Sequence, residues 1–223
     1  MKKILLFLFI FLLIPSVLAQ NYPSLQGFVT DQADIFNSEE ESQLTQFLNF
    51  IEENTTVEIA VVTVLSLEGI PLETYAFELA DTKGIGKQDV DNGLLLLIAP
   101  TERQYRFEVG YGLEGSLPDI LVSRIGEQHF SSTFPEEHYF EGVYGALQDI
   151  SSILQGNEEV MSQYSSQASP FSFFLVLFIL LFVLIIFGRR FGPAIFIPGG
   201  RHSGGFGGFG GGGFGGGGSS GKW

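Results

Sequence analysis

Four carboxylates stand out by type and placement. Asp31 and Asp34 lie in Val29-Thr30-Asp31-Gln32-Ala33-Asp34, and Glu114 and Asp119 lie in and just after the glycine-rich stretch Gly110-Tyr111-Gly112-Leu113-Glu114-Gly115. Carboxylates carried on loops suit a hard cation, and calcium takes about six to eight oxygens from carboxylates, carbonyls and water. The set therefore predicts a calcium site, with magnesium as the alternative metal. It requires segments distant in sequence to converge. The same residues also have a plainer use: Asx hydrogen bonds at Asp31 and Asp34 make a turn, the glycines make a tight connection, and Asp119 caps a helix after Pro118.

Catalytic groups are scarce by comparison, and no residue is assigned a catalytic role. The chain has no cysteine, which removes thiolate chemistry, disulfides and Cys-based metal sites. Phosphoryl transfer needs an activated nucleophile or a metal pair, together with cations for the transferring oxygens. All 25 acidic residues fall between Asp31 and Glu159, where the bases are only Lys83, Lys87, Arg103, Arg106 and Arg124, a net charge of −20 for that span. Such a field repels nucleic acid and phosphate and draws cations or basic partners. His129 and His138 read as solvated surface, and Arg103 and Arg106, three apart on a strand, as surface partners of glutamates on opposite faces. Lys83-Gly84-Ile85-Gly86-Lys87 looks like a phosphate loop but lacks the Gly-Lys-Ser/Thr ending.

The elements that must position these residues follow from periodicity. Leu44, Phe47, Leu48 and Ile51 recur at helical spacing after Ser38, which predicts a helix over 39–53 with Ser38 as its cap and Glu41 completing a capping box. The β-branched run 57–65 and the apolar run 94–99 predict buried strands. A helix over 71–81 links them, so they should be parallel with a right-handed crossover. The turn 100–102 folds an alternating strand, 103–109, back antiparallel. Helices over 118–130 and 139–154 complete an α/β domain, a three-layer sandwich with a small mixed sheet and helices on both faces in a Rossmann-like arrangement.

The ends of the chain have other compositions. Met1-Lys2-Lys3, an apolar run and Val17-Leu18-Ala19 predict a signal peptide over 1–19. The domain then occupies 20–155 and a polar linker 156–170. Phe171 to Phe187 is 17 residues long with Ser172 as the one polar member, short for a bilayer span but too apolar for a soluble surface helix. Arg189 and Arg190 follow it, so the positive-inside rule predicts a single-pass protein with its N-terminal domain extracytoplasmic and its tail cytoplasmic. The tail, 188–223, includes Gly199 to Gly221, where 15 of 23 residues are glycine, and is expected to be disordered.

Gly110-Tyr111-Gly112-Leu113-Glu114-Gly115 after an antiparallel hairpin resembles the signature of the TPM domain family, with matching segments from Val29-Thr30-Asp31 to about Leu154. The resemblance implies calcium binding, with Asp31, Glu114 and Asp119 at the family's acidic positions. It also implies a partner-binding or quality-control role for membrane proteins in the cell envelope. A weak metal-dependent phosphatase is the alternative that it implies, and a purely structural envelope protein is a third reading. The expected attachments are the membrane, through the C-terminal helix, and an envelope protein, with no nucleic acid.

Overall fold

The computed structural model describes residues 22–87, 89–165 and 217–223. The signal peptide over 1–19 and the apolar segment 171–187 lie outside these residues, and among the described residues no helix is long and apolar enough to cross a membrane. One mixed sheet holds five strands, β1 (Val29–Asp31), β2 (Glu58–Thr63), β3 (Gly93–Ala99), β4 (Gln104–Val109) and β5 (Gly218–Lys222), in the order β1-β2-β3-β4-β5. The first three are mutually parallel, while β4 runs antiparallel to both β3 and β5. The helices are α1 (Ser38–Thr55), α2 (Leu72–Lys83), α3 (Asp119–Thr133), α4 (Tyr139–Leu154) and α5 (Glu158–Ser165).

β2 and β3 show no polar alternation because both their faces are covered. Ile59, Val61, Leu94, Leu96 and Ile98 point into one core with α1, α3 and α4, and Ala60, Val62, Leu95, Leu97 and Ala99 point into a second core with α2. Helices thus lie on both faces. The crossovers through α1 and α2 advance the sheet in the same direction from opposite faces, so they have opposite hands. The right-handed rule holds for one of them and not the other.

β4 alternates as the sequence indicates, with Tyr105, Phe107 and Val109 in the first core. Its polar face is nevertheless buried as well, at Arg106 and Glu108, so it is not the half-covered strand that alternation suggests. α1 is capped by Asn37 rather than Ser38. The Asn37 Oδ1 accepts from the Glu39 and Glu40 N–H groups at 2.9 and 3.0 Å, and Glu40, not Glu41, closes the capping box. Lys83 ends α2 with Gly84 as its left-handed cap at φ 63°, and Gly86, at φ 89°, packs against Gly93, so both glycines have a structural use without a phosphate.

Two stretches outside the expected domain have structure. Within the linker, α5 is tied down by Tyr164, which is buried and accepts from Arg124 through its backbone carbonyl. At the end of the tail, β5 adds to the edge of β4, so the expectation of disorder does not hold for 217–223.

Candidate functional site

Asp31 ends β1, and both its carboxylate oxygens are engaged locally. Oδ2 accepts from the Phe36 N–H at 2.8 Å, and Oδ1 accepts from the buried Thr63 hydroxyl. Thr63 Oγ1 in turn accepts from the Ala33 N–H at 3.0 Å. Asp31 therefore organises the turn over 31–36, through the N–H five residues on and Thr63 rather than the N–H two residues on of an Asx turn. Asp34 is exposed within that turn, at φ 55°.

Glu114 and Asp119 sit elsewhere. Beyond Val109 the chain makes a 3-10 turn, Tyr111–Leu113, and buried Leu113 and Leu117 fasten it to the core. Gly110 and Gly112 serve close approach rather than unusual backbone angles. A Cβ at Gly112 would lie 1.9 Å from the Val90 carbonyl oxygen, and one at Gly110 would lie 2.3 Å from that of Asp91. Pro118 is the N-cap of α3 and makes no side-chain cap bond, so Asp119 is the first helical residue and not the cap. Its Oδ1 instead accepts from the Gly218 N–H at 2.8 Å. A Cβ placed on Gly217 would stand 3.1 Å from Glu114 Oε1 and 3.4 Å from Asp119 Oδ1, so the two carboxylates face one point of the C-terminal segment.

The register keeps the two pairs apart. Asp31 pairs with Thr63 at the far end of β2, whereas Val109 pairs with Leu94, which pairs with Ile59 near its start. Ile59 and Thr63 are four residues apart, about 13 Å, and β1 and β4 are three strand spacings apart, about 14 Å. Asp31 and Asp34 therefore do not join Glu114 and Asp119 in one coordination sphere. Among the described residues no three His, Asp or Glu side chains gather to hold a metal ion.

Two polar clusters went unread in the sequence. Arg106, expected on the surface, is buried on the α2 face of β4, and its Nε donates to Glu108 Oε2 at 2.6 Å. The Glu108 carboxyl is wholly buried with Oε1 unpartnered, and burial raises its pKa against the opposing pull of Arg106. Ser220 links this pair to α2: its hydroxyl accepts from Arg106 Nη1 at 3.0 Å and donates to Glu73 Oε1 at 2.9 Å. Helix α2 thereby meets β5 through one exposed carboxylate.

His129 is likewise not a solvated surface residue. Its Nε2 lies 2.6 Å from Asp149 Oδ2, which also accepts from the Tyr164 hydroxyl. The ring rests on Gly145, where a Cβ would come within 2.6 Å of Nδ1. This cluster joins α3, α4 and α5. The spacing of His129 and Asp149, on two different helices, carries no sequence signal for it. His138 is exposed, 3.8 Å from Glu136, as expected.

The TPM domain family model matches residues 29–153, more than half of the chain. Among solved structures, the N-terminal domain of a protein from P. gingivalis is 38% identical, covering 59% of this chain and 84% of that one with a TM-score of 0.55. The N-terminal domain of the cg2496 protein from Corynebacterium glutamicum is 21% identical over 69% of this chain and 91% of that one, with a TM-score of 0.47. No curated protein matches the chain.

Proposed function

The chain belongs to the TPM domain family, and on that premise we propose that it is an extracytoplasmic binding module whose ligands are protein segments and whose acidic corner, Glu114 and Asp119, takes a divalent cation, calcium. The segment 171–187 holds it at the bacterial inner membrane, and its role is to bind membrane or envelope proteins in their quality control. The observation that carries the reading is the contact between Asp119 and a backbone N–H of an extended segment, with Glu114 beside it. Carboxylates placed this way can hold a peptide backbone directly or through a cation, which needs only part of its shell from side chains.

Against ester hydrolysis, two of the five cationic side chains of the domain are committed elsewhere, Arg106 to Glu108 and Arg124 to the Tyr164 carbonyl. The strongly negative field of the domain adds to this.

The test is a calcium titration of the protein followed by NMR at the amides of residues 112–117, 119–120 and 217–218, with a phosphate-ester assay on the same sample. We expect saturable shifts at Glu114 and Asp119 and no ester cleavage. Glu114→Ala or Asp119→Ala should weaken calcium binding by at least about tenfold, or 1.4 kcal/mol. No response at millimolar calcium would remove the cation from the reading, and ester cleavage would revive the phosphatase.

A further inference from the structure

β5 is a strand that its own sequence does not favour. Gly218, Ser219, Ser220 and Gly221 have low strand propensity and no apolar side chain to bury. What holds them is recognition by the rest of the chain. The ladder pairs Glu108 with Gly218 through Gln104 with Lys222, and it continues past the strand at both ends: the Val109 N–H donates to the Gly217 carbonyl at 3.1 Å, and the Trp223 N–H donates to that of Arg103 at 3.3 Å.

Side chains then read individual positions. Asp119 takes the Gly218 N–H, and Arg106 and Glu73 take the Ser220 hydroxyl. Gly218, at φ +151°, has the Phe107 carbonyl oxygen 2.2 Å from where a Cβ would be, and a Cβ at Gly221 would lie 2.2 Å from the Tyr105 ring. Glycine is therefore required at both. Trp223 ends the segment in a cup of aromatic rings, with centroids 4.8 Å away at Phe134, 6.1 Å at Tyr139 and 6.5 Å at Tyr105. An extended backbone on a sheet edge with one anchoring side chain is the geometry of strand addition, in which the ladder gives affinity and the pocket gives specificity.

We infer that the edge of β4, with the Tyr105–Phe134–Tyr139 cup at one end and Asp119 at the other, is a binding site for an extended Gly-Ser-rich segment followed by an aromatic residue, and that its occupant is the chain's own segment 217–223. This site does not depend on the cation proposed above. It has a consequence for topology. A strand bonded to β4 shares the compartment of the domain, so in one molecule it excludes a C-terminus on the opposite side of the membrane.

Trp223 is the single tryptophan of the chain, which makes docking directly visible. In the full-length protein in detergent micelles, we expect Trp223 emission to be blue-shifted and shielded from acrylamide. Gly221→Val should shift it to the red and expose it while the far-UV circular dichroism and the melting transition persist. In a chain ending at Gly217, the synthetic peptide Gly-Ser-Ser-Gly-Lys-Trp should bind saturably, and replacing its Trp by Ala should weaken binding by at least about tenfold.

A Trp223 as exposed as that of the free peptide and indifferent to Gly221→Val would overturn the site. So would a truncated chain that keeps its melting transition and binds no peptide. Shielding that disappears on dilution, in step with loss of a dimer, would overturn self-occupancy and assign the strand to a second copy.

Discussion

The two edges of the sheet are closed in different ways. At β1 the closing strand is three residues long and is held from within: Asp31 ties the following turn to its own segment and to Thr63 of the neighbouring strand. At β4 the closing strand comes from the last residues of the chain, and what holds it is spread over β4, α2 and α3. Both edges carry acidic residues that the sequence marks as one set. At the first edge the carboxylate is consumed by local structure. At the second it faces another segment, which is why the binding reading rests on Glu114 and Asp119. A carboxylate's neighbours in space, rather than its residue type, separate a turn former from a ligand-binding group.

The largest effect that would sharpen this contrast lies under β5. Arg106→Leu leaves Glu108 buried without its partner, and breaking a buried pair costs about 3–5 kcal/mol. The double variant Arg106→Leu, Glu108→Leu should recover most of that loss, as a buried pair exchanged for packed apolar groups is close to neutral. Urea unfolding of the single and double variants checks this. Equal destabilisation by both would mean that the edge relies on the charges themselves.

At the other edge, Asp31→Ala removes two hydrogen bonds and strands the Thr63 hydroxyl, which is fully buried, and should cost about 2 kcal/mol. Glu114→Gln, exposed and without a bond of this kind, should stay within about 0.5 kcal/mol. If the two lost equal stability, the distinction between a structural and a ligand-facing carboxylate would fail.

The sequence makes the middle of the sheet legible and its edges obscure, for physical reasons. β2 and β3 are apolar runs because both faces are covered, and nothing but a buried strand fits 94–99 with a turn at 100–102. Helix α4 matches its expected span, Tyr139–Leu154, because its inward stripe is long and regular. β1 has too few residues to establish a period. β5 has no period at all: glycine and serine were the composition of disorder, and only the partner surface makes them a strand. The candidate site was legible as four residues and illegible as two places. Spacing along the chain says nothing about which end of which strand a loop leaves, and the register alone separates Asp31 from Glu114. The burial of Arg106 is illegible for a related reason, since the cover over its face comes partly from Ser220, more than a hundred positions away.

A pH-dependent effect concerns Tyr105, which lies under the end of β5 beside Trp223. Burial pushes its hydroxyl up from 10.0 to about 12, so the folded protein keeps it neutral where the unfolded chain ionises it. The stability linked to this group is fully present below pH 10 and falls as pH rises from 10 towards 12, by about 1.4 kcal/mol at pH 11. Tyr105→Phe should remove that part of the alkaline slope in urea unfolding measured at pH 9 and pH 11. Tyr22 is also raised, to about 12, but it lies outside β5 and pairs with Glu78, so it contributes the same slope with or without the C-terminal strand. The informative comparison is therefore the chain ending at Gly217. If β5 supplies the burial of Tyr105, truncation lets water reach the ring, and the difference between Tyr105→Phe and its parent shrinks in the truncated background. If the difference is unchanged, the ring is buried by α3 and its aromatic neighbours alone, and the second edge is complete without the strand that covers it.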